Sequence, residues 1–241
     1  MSINKVEGII LRTTLFKEQD YIIDIYTPNK GKVTCKGKRG QKLQSNNGSA
    51  FQVGNHVMLG LYSKQENEGM PIVTTADIVN QFSKTKMDFT KLVLSQYVME
   101  VIGKNTEDGD DNLPLYKLLV SSLLYIEKNP VTMHWRTTFE YFLLTRLGFQ
   151  PETRRCMITG KELHEAAIFD MELGGIVSPE YDKKGYRLSK IDLLYLEKLK
   201  SVRPHDPNIP VPKKVKKLIA HMTNVYGYGP FNTFKFYGIK D

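Results

Sequence analysis

The densest chemistry in the sequence lies in KGKVTCKGKRGQK, residues 30–42, which carries six basic side chains and no acid: Lys30, Lys32, Lys36, Lys38, Arg39 and Lys42. Strand alternation sorts them: Val33 and Cys35 point one way, Lys32, Thr34 and Lys36 the other. Same-face positions recur about every 6.6 Å along a strand, so the lysines form a row that can track a nucleic-acid backbone. Each neutralised phosphate releases counterions, which drives binding and makes it salt-sensitive. Arg12 is opposite in phase to Ile9 and Leu11 and can join the row. Tyr26 and Tyr62 fall on the polar phase of their runs. Exposed aromatics beside a basic groove are what base stacking needs. The plainer reading is that the lysines keep a sheet edge from aggregating.

A second constellation, CMITGKELHEAAIFDMELGGIVSPEYDKKG (156–185), has the outline of a four-cysteine zinc module. Cys156 to Thr159 has C-x-x-C spacing, Ser178 to Tyr181 repeats it, and 18 residues intervene, inside the usual range for paired knuckles. Only one cysteine is present. A hydroxyl is harder and much less acidic than a thiol, so Thr159, Ser178 and Tyr181 are poor zinc ligands. Cys156 with His164 makes two plausible ligands at most. No metal is expected. In its place the sequence predicts an apolar cluster of Ile158, Leu163, Phe169, Leu173, Val177 and Tyr181, with Tyr181 filling part of the space a metal would take.

Enzyme templates fit nearly and then fail. Gly31 to Lys38 resembles a phosphate-binding loop, but five residues separate Gly31 from Gly37 instead of four, and Arg39 stands where Ser or Thr belongs. His164-Glu165 opens an H-E-x-x-H that ends at Ile168. There is no G-x-S-x-G and no glycine-rich dinucleotide turn. The five histidines are scattered, and His134 beside Trp135 reads as packing. No acid, base and nucleophile are placed together, so neither an enzyme nor a cofactor is expected.

These residues need elements to hold them. The chain has 241 residues and a net charge of +8 from 34 basic and 26 acidic side chains. The excess is uneven. Residues 1–83 carry 10 basic and 7 acidic side chains, 84–150 carry 8 and 8, and 151–241 carry 16 and 11, so both ends are basic and the middle is neutral. A basic excess points to a polyanionic partner. No run of about 18 apolar residues occurs, so no membrane span is expected. The start, MSINKVEGII, lacks the pattern of a secretory signal. Two cysteines exclude a disulfide framework, and a cytoplasmic location is the natural expectation.

Residues 1–82 read as five short β-branched runs, VEGIILRTT, DYIIDIYT, GKVTCKGKR, NHVMLGLYSK and MPIVTTADIV, divided by turn-rich segments. They predict a five-stranded OB-like barrel, with an SH3-like barrel left open. Residues 83–150 turn helical, with stripes Phe89/Leu92/Val93/Tyr97/Val101, Leu115/Leu118/Leu119/Ser122/Leu123/Ile126 and Trp135/Phe139/Phe142/Leu143/Leu147. Short connections make these three helices an antiparallel bundle. The acidic connection NTEDGDDNLP is too short for an EF-hand and is expected to be a plain solvated loop. Residues 151–186 hold the cysteine module. In 187–241, Ser189 and Asp192 form a capping box before a helix with Leu193, Leu196 and Leu199. A proline-rich connector follows, then a helix opened by Pro212 with the stripe Val215/Leu218/Ile219/Met222/Val225. Lys213, Lys214, Lys216 and Lys217 crowd its first turns. The class is therefore α+β and multi-domain: an N-terminal OB-like barrel, then a helical bundle carrying an inserted, metal-free zinc-ribbon-like module.

This order of parts resembles the bacterial RecO family of recombination mediators. EGIILRTTLFKEQDYIIDIYTPNKGKVTCKGKRG looks like the family's opening, and FEYFLLTRLGFQPE before Cys156 looks like its bundle helix leading to the cysteine module, with Gly174-Gly175 before the second knuckle. The resemblance implies a non-enzymatic protein that binds single- and double-stranded DNA and anneals complementary strands. It implies contact with the C-terminal tail of the single-stranded-DNA-binding protein, pairing with RecR, and help in loading RecA. Carried onto this sequence, the basic barrel surface falls on Arg12, Lys32, Lys36, Lys38 and Arg39, with Lys17 and Lys42 as weaker members in turns. Arg136 and Arg146 are the candidates for a basic rim that takes the partner tail. Two other classes stay open at this point: an RNA-binding barrel protein of the translation machinery, and a nucleic-acid enzyme with an OB module.

Overall fold

The computed structural model describes residues 2–17, 20–38, 47–63, 69–181, 184–201 and 210–237. Contacts divide the chain into two compact units, residues 1–129 with 232–241, and residues 130–231.

In the first unit, β1 (Ser2–Phe16), β2 (Asp20–Thr27), β3 (Gly31–Lys38), β4 (His56–Ser63) and β5 (Ile72–Asn80) close into a barrel in the order β1-β2-β3-β5-β4. The β3–β5 pair is parallel and the other four are antiparallel. This is the OB-like barrel the sequence predicts. Closure depends on β1, which pairs with β4 through Ser2–Ile9 and with β2 through Ile9–Phe16. A bulge between Ile10 and Arg12 resets the alternation: Ile9 and Ile10 are both buried, and Arg12 emerges exposed. Bulges are a common device where one strand must serve two sheet faces. The short helix α1 (Asn47–Ala50) delivers Ala50 and Phe51 into a core of Val6, Ile10, Ile23, Ile25, Cys35, Val57, Leu59 and Val73.

The barrel leads into α2 (Ser83–Met87), α3 (Phe89–Lys104) and α4 (Leu113–Lys128). Asp88 caps α3 by accepting from Lys91 N–H, and Asn112 caps α4 by accepting from Leu115 N–H. Sequence periodicity misses α2, which is one turn long. Its exposed N–H groups find an acceptor on α4: Glu127 takes Lys84 N–H at 3.0 Å, Thr85 N–H at 2.7 Å and the Thr85 hydroxyl at 2.7 Å. The connection 105–112 is not a plain solvated loop. Its four acids are exposed, but its backbone lies against β3: Lys32 N–H donates to Glu107 O, and Asp108 bridges to Gly31 and Lys32.

The second unit contains α5 (Met133–Arg146), the sheet β6 (Ala166–Asp170), β7 (Gly175–Val177) and β8 (Tyr186–Ser189) in the order β7-β6-β8, then α6 (Lys190–Ser201) and α7 (Lys213–Tyr226). Within this unit α5 packs against α7, through residues beside the predicted stripe. Tyr141 and Leu144 of α5 share one core with Phe169, Ile176, Leu196, Val215, Leu218, Ile219 and Met222. The expected capping box is present: Ser189 N–H and hydroxyl both donate to Asp192 Oδ2, at 2.9 and 2.6 Å. In α7 Val225 is exposed and Thr223 is buried, so the apolar stripe ends a turn early. The last helical turn, α8 (Thr233–Phe236), belongs to the first unit and packs on α3.

Candidate nucleic-acid interface

Arg12, Lys32, Lys36 and Lys38 all lie on the outer surface of the barrel, on β1 and β3. Lys17, exposed, follows β1 in a left-handed conformation (φ 54°). Arg39 and Lys42 lie outside the described residues. The row is less purely basic than its own strand implies, because β2 sets acids beside it. Asp20 pairs in register with Lys38, and Asp24 pairs with both Arg12 and Thr34. Lys36 Nζ reaches Asp20 Oδ2 at 2.8 Å, and Lys32 Nζ donates to Thr106 O at 2.8 Å. The same phase that makes Lys32 and Lys36 outward makes Asp20 and Asp24 outward on DYIIDIYT, so the sequence itself carries this signal.

The tyrosines separate. Tyr62 is half-buried, and its register runs Tyr62–Ile72–Lys36 across β4, β5 and β3. That is two strand spacings, roughly 9.5 Å, between Tyr62 and the lysine row. Tyr26 does not serve as an exposed stacking ring. It points outward from β2, opposite Lys32, but is 0% exposed. Its ring meets Tyr116 of α4 edge-on at 5.8 Å, and its hydroxyl donates to Asn112 O at 3.2 Å. Burial, with Asp110 and Asp111 nearby, pushes its hydroxyl pKa well up. Alternation gave the right direction; the cover supplied by α4 and the acidic connection has no signature in β2.

An aromatic that strand phase did not single out does stand at the row. Phe16, at the end of β1, is 40% exposed, and both Lys17 Nζ and Lys36 Nζ lie 5.5 Å from its ring centre. Ammonium groups at this range are held by the ring quadrupole. Phe16 thus gathers two cations at one point of the surface, where a phosphate can bridge them.

The two arginines considered for a partner tail also separate. Arg136 is turned inward: its Nε donates to Glu140 Oε1 at 2.7 Å, one helical turn away, and Glu140 is itself buried. Its charge is used inside the unit, so it does not form a surface rim. Arg146 is exposed at the last turn of α5.

In the cysteine module the knuckle turn is formed. Gly160 N–H donates to Cys156 O at 2.8 Å and Cys156 N–H to Lys161 O at 2.8 Å. Cys156 packs with Ile168, Val177 and the partly buried Leu163. Phe169 belongs to the larger core of the unit. Three members of the expected cluster are absent from it: Ile158, Leu173 and Tyr181 are 55%, 46% and 51% exposed. Tyr181 therefore fills nothing. Its chain position is set by its N–H donating to Ser178 O in a turn that faces the ring to solvent. Burial raises the Cys156 pKa, but hydrogen bonds from the Thr159 hydroxyl and from the N–H groups of Thr159, Ile158 and Ser178 outweigh it and bring the thiol to about 7. Among the described residues, no group of three or more His, Cys, Asp or Glu side chains is placed to hold a metal ion, and no helix is long and apolar enough to cross a membrane.

Comparison with known proteins covers almost the whole chain. Residues 1–82 match the family described as recombination protein O, N terminal, and residues 86–226 match recombination protein O, C terminal. Curated relatives include three named DNA repair protein RecO. The one from Pelodictyon phaeoclathratiforme is 28% identical over 201 residues, 79% of this chain and 75% of the relative. That from Symbiobacterium thermophilum is 25% identical over 210 residues, 86% and 82% respectively. That from Chloroherpeton thalassium is 30% identical over 171 residues, 69% and 64%.

Proposed function

The chain belongs to the recombination protein O family of DNA repair proteins, and from that premise we propose that it is a non-catalytic mediator that holds DNA on its barrel. The observation that carries this reading is the outward row Lys32, Lys36 and Lys38, joined by Arg12 and by the Lys17–Phe16–Lys36 cluster. The row binds single- and double-stranded DNA through phosphates, with little sequence preference. Annealing follows from screening two strands and holding them close. The partners are the C-terminal tail of the single-stranded-DNA-binding protein, with Arg146 as a basic contact, and RecR; the outcome is RecA loaded on gaps. The protein works in the bacterial cytoplasm, at the nucleoid. The translation-related reading is not favoured, since the relatives named above are DNA repair proteins.

A salt series tests the row. Single-strand affinity should fall linearly on a log–log plot, and replacing Lys32, Lys36 and Lys38 by Ala should flatten that slope by about two to three units while circular dichroism is unchanged. An affinity that hardly changes between low and physiological salt would overturn the phosphate row.

A further inference from the structure

A cleft of ≈ 530 Å³ opens in the first unit where the barrel meets α3 and the C-terminal turn α8. Pockets of about 300–1,000 Å³ hold small organic ligands, and this one continues the basic face because Arg12 and Lys32 line both. Its floor is apolar: Leu11, at the β1 bulge, and Met99 of α3. Its mouth carries an aromatic pair from the chain's end. Phe236 is 81% exposed, its ring centre is 5.1 Å from that of Tyr237, and Tyr237 meets Phe89 edge-on at 5.7 Å. Together the two rings set an aromatic lip on a cleft that Arg12, Lys32 and Lys104 also line.

The turn carrying these rings is held firmly. Glu100 accepts Asn232 N–H at 2.8 Å, Thr233 N–H at 2.9 Å and the Thr233 hydroxyl at 2.6 Å, while Phe234 packs on Tyr97 with ring centres 4.6 Å apart. The other acid of the cleft, Asp24, accepts the Thr34 hydroxyl at 2.8 Å. Both carboxylates are thus occupied. Of the cations, Arg12 is exposed, and its Nε donates to the Thr14 hydroxyl at 3.1 Å; Lys104 stands at the end of α3, 3.5 Å from Glu100.

We propose that this cleft takes one unstacked base of a single strand lying on the basic barrel face, with the base against Phe236 and Tyr237 and its phosphate on Arg12. The inference rests on the DNA-binding reading and adds a component that phosphate contact lacks. A nucleotide needs an aromatic face, a polar edge for the base and a cation for the phosphate, and the cleft supplies all three: the ring pair, the side-chain amides of Gln96 and Asn232, and Arg12. An acidic peptide tail brings several carboxylates to a cleft that already holds Asp24 and Glu100, whereas one nucleotide brings a single phosphate to Arg12. A duplex keeps its bases stacked and cannot enter, so the cleft favours single strands over paired ones.

The test uses the full chain and two 20-nucleotide single strands with the same phosphates, oligothymidine and its fully abasic analogue. Wild type should prefer oligothymidine by about tenfold, the scale of one stacked base. Phe236→Ala and the paired F236S should remove most of that preference and leave the salt slope unchanged. Phe236 is mostly exposed, so its truncation spares the core, and thermal melting confirms this. If wild type binds neither strand, the DNA-binding reading itself fails. If it binds both equally, or if the preference survives in Phe236→Ala, the base pocket is wrong and the phosphate row stands. If Phe236→Ala abolishes capture of an acidic, apolar-ended peptide while the base preference remains, the cleft is a peptide site and the proposal is overturned.

Discussion

Lys36 Nζ lies 2.8 Å from Asp20 Oδ2 across the β2–β3 pair, with both side chains about a quarter exposed or less. The lysine at the centre of the basic row is thus partly neutralised by its own barrel. A phosphate that takes Lys36 must compete with Asp20, and the strand's affinity reflects that competition.

Asp20→Asn should therefore tighten single-strand binding. Surface pairs of this kind contribute roughly 0–1 kcal/mol, so the gain is about two- to fivefold at low salt and shrinks as salt rises. Fluorescence anisotropy against a labelled oligonucleotide measures it. Weaker binding in the variant would mean that Asp20 positions Lys36 and does not restrain it.

Gly31→Ala should cost stability whether or not a strand is bound. Gly31 opens β3 at φ +60°, and a Cβ there would sit 2.2 Å from Asp110 O. The added carbon meets backbone, so either β3 or the acidic connection must move. A loss of about 2–4 kcal/mol follows from left-handed strain plus overpacking. Urea unfolding checks it. Ala at Gly109, which has φ +80° but nothing near its Cβ, isolates the strain from the clash and should cost about 1 kcal/mol.

These two sites mark where sequence reading succeeds and where it stops. The barrel is legible because its core obeys a period of two: Val57, Leu59 and Leu61 are buried as alternation requires. The outward direction of Lys32, Lys36 and Tyr26 is legible for the same reason. What lies over an outward residue is not, since cover comes from an element 86 or more residues away, as Asn112 and Tyr116 cover Tyr26. The place of Phe236 has no local signature either, because it depends on α8 docking on α3 through Glu100. That contact spans 133 residues between Glu100 and Thr233. The grouping of α5 with α7 was equally hidden, for an apolar stripe says that a face is buried but not against what.

Acid should loosen the docked C-terminal turn. Burial opposes ionisation of Glu100, but the Thr233 hydroxyl, the Asn232 and Thr233 N–H groups and Lys104 outweigh it and hold the carboxyl below the usual range. A depressed folded pKa means that its stabilisation is complete above the unfolded carboxylate value, about 4.3, and is lost as pH falls through the folded value. Hydrogen exchange at Thr233 N–H should rise as pH drops below about 4, after correction for the intrinsic rate. Glu100→Gln should show fast exchange already at pH 7, with a cost of about 1.5–3 kcal/mol for lost charge-assisted bonds. Unchanged protection in the variant would separate the turn from Glu100.

The cysteine module should show the same sign of pH dependence in a higher window. The knuckle turn aims the Thr159 hydroxyl and three N–H groups at the Cys156 sulfur, and its pKa falls to about 7, against about 8.5 for a free thiol. Between those values the unfolded chain binds more protons than the folded one, so stability should rise with pH from about 7 toward 9. The single tryptophan, Trp135, lies in the same unit and reports its unfolding by fluorescence. In wild type the urea midpoint should climb across this window. Cys156→Ser keeps a small polar group that does not ionise, so its midpoint should stay flat, and a chelator should shift neither protein. A rise that persists in Cys156→Ser would assign the titration to another group. A chelator that lowers the wild-type midpoint would mean that the donors around Cys156 hold a metal after all.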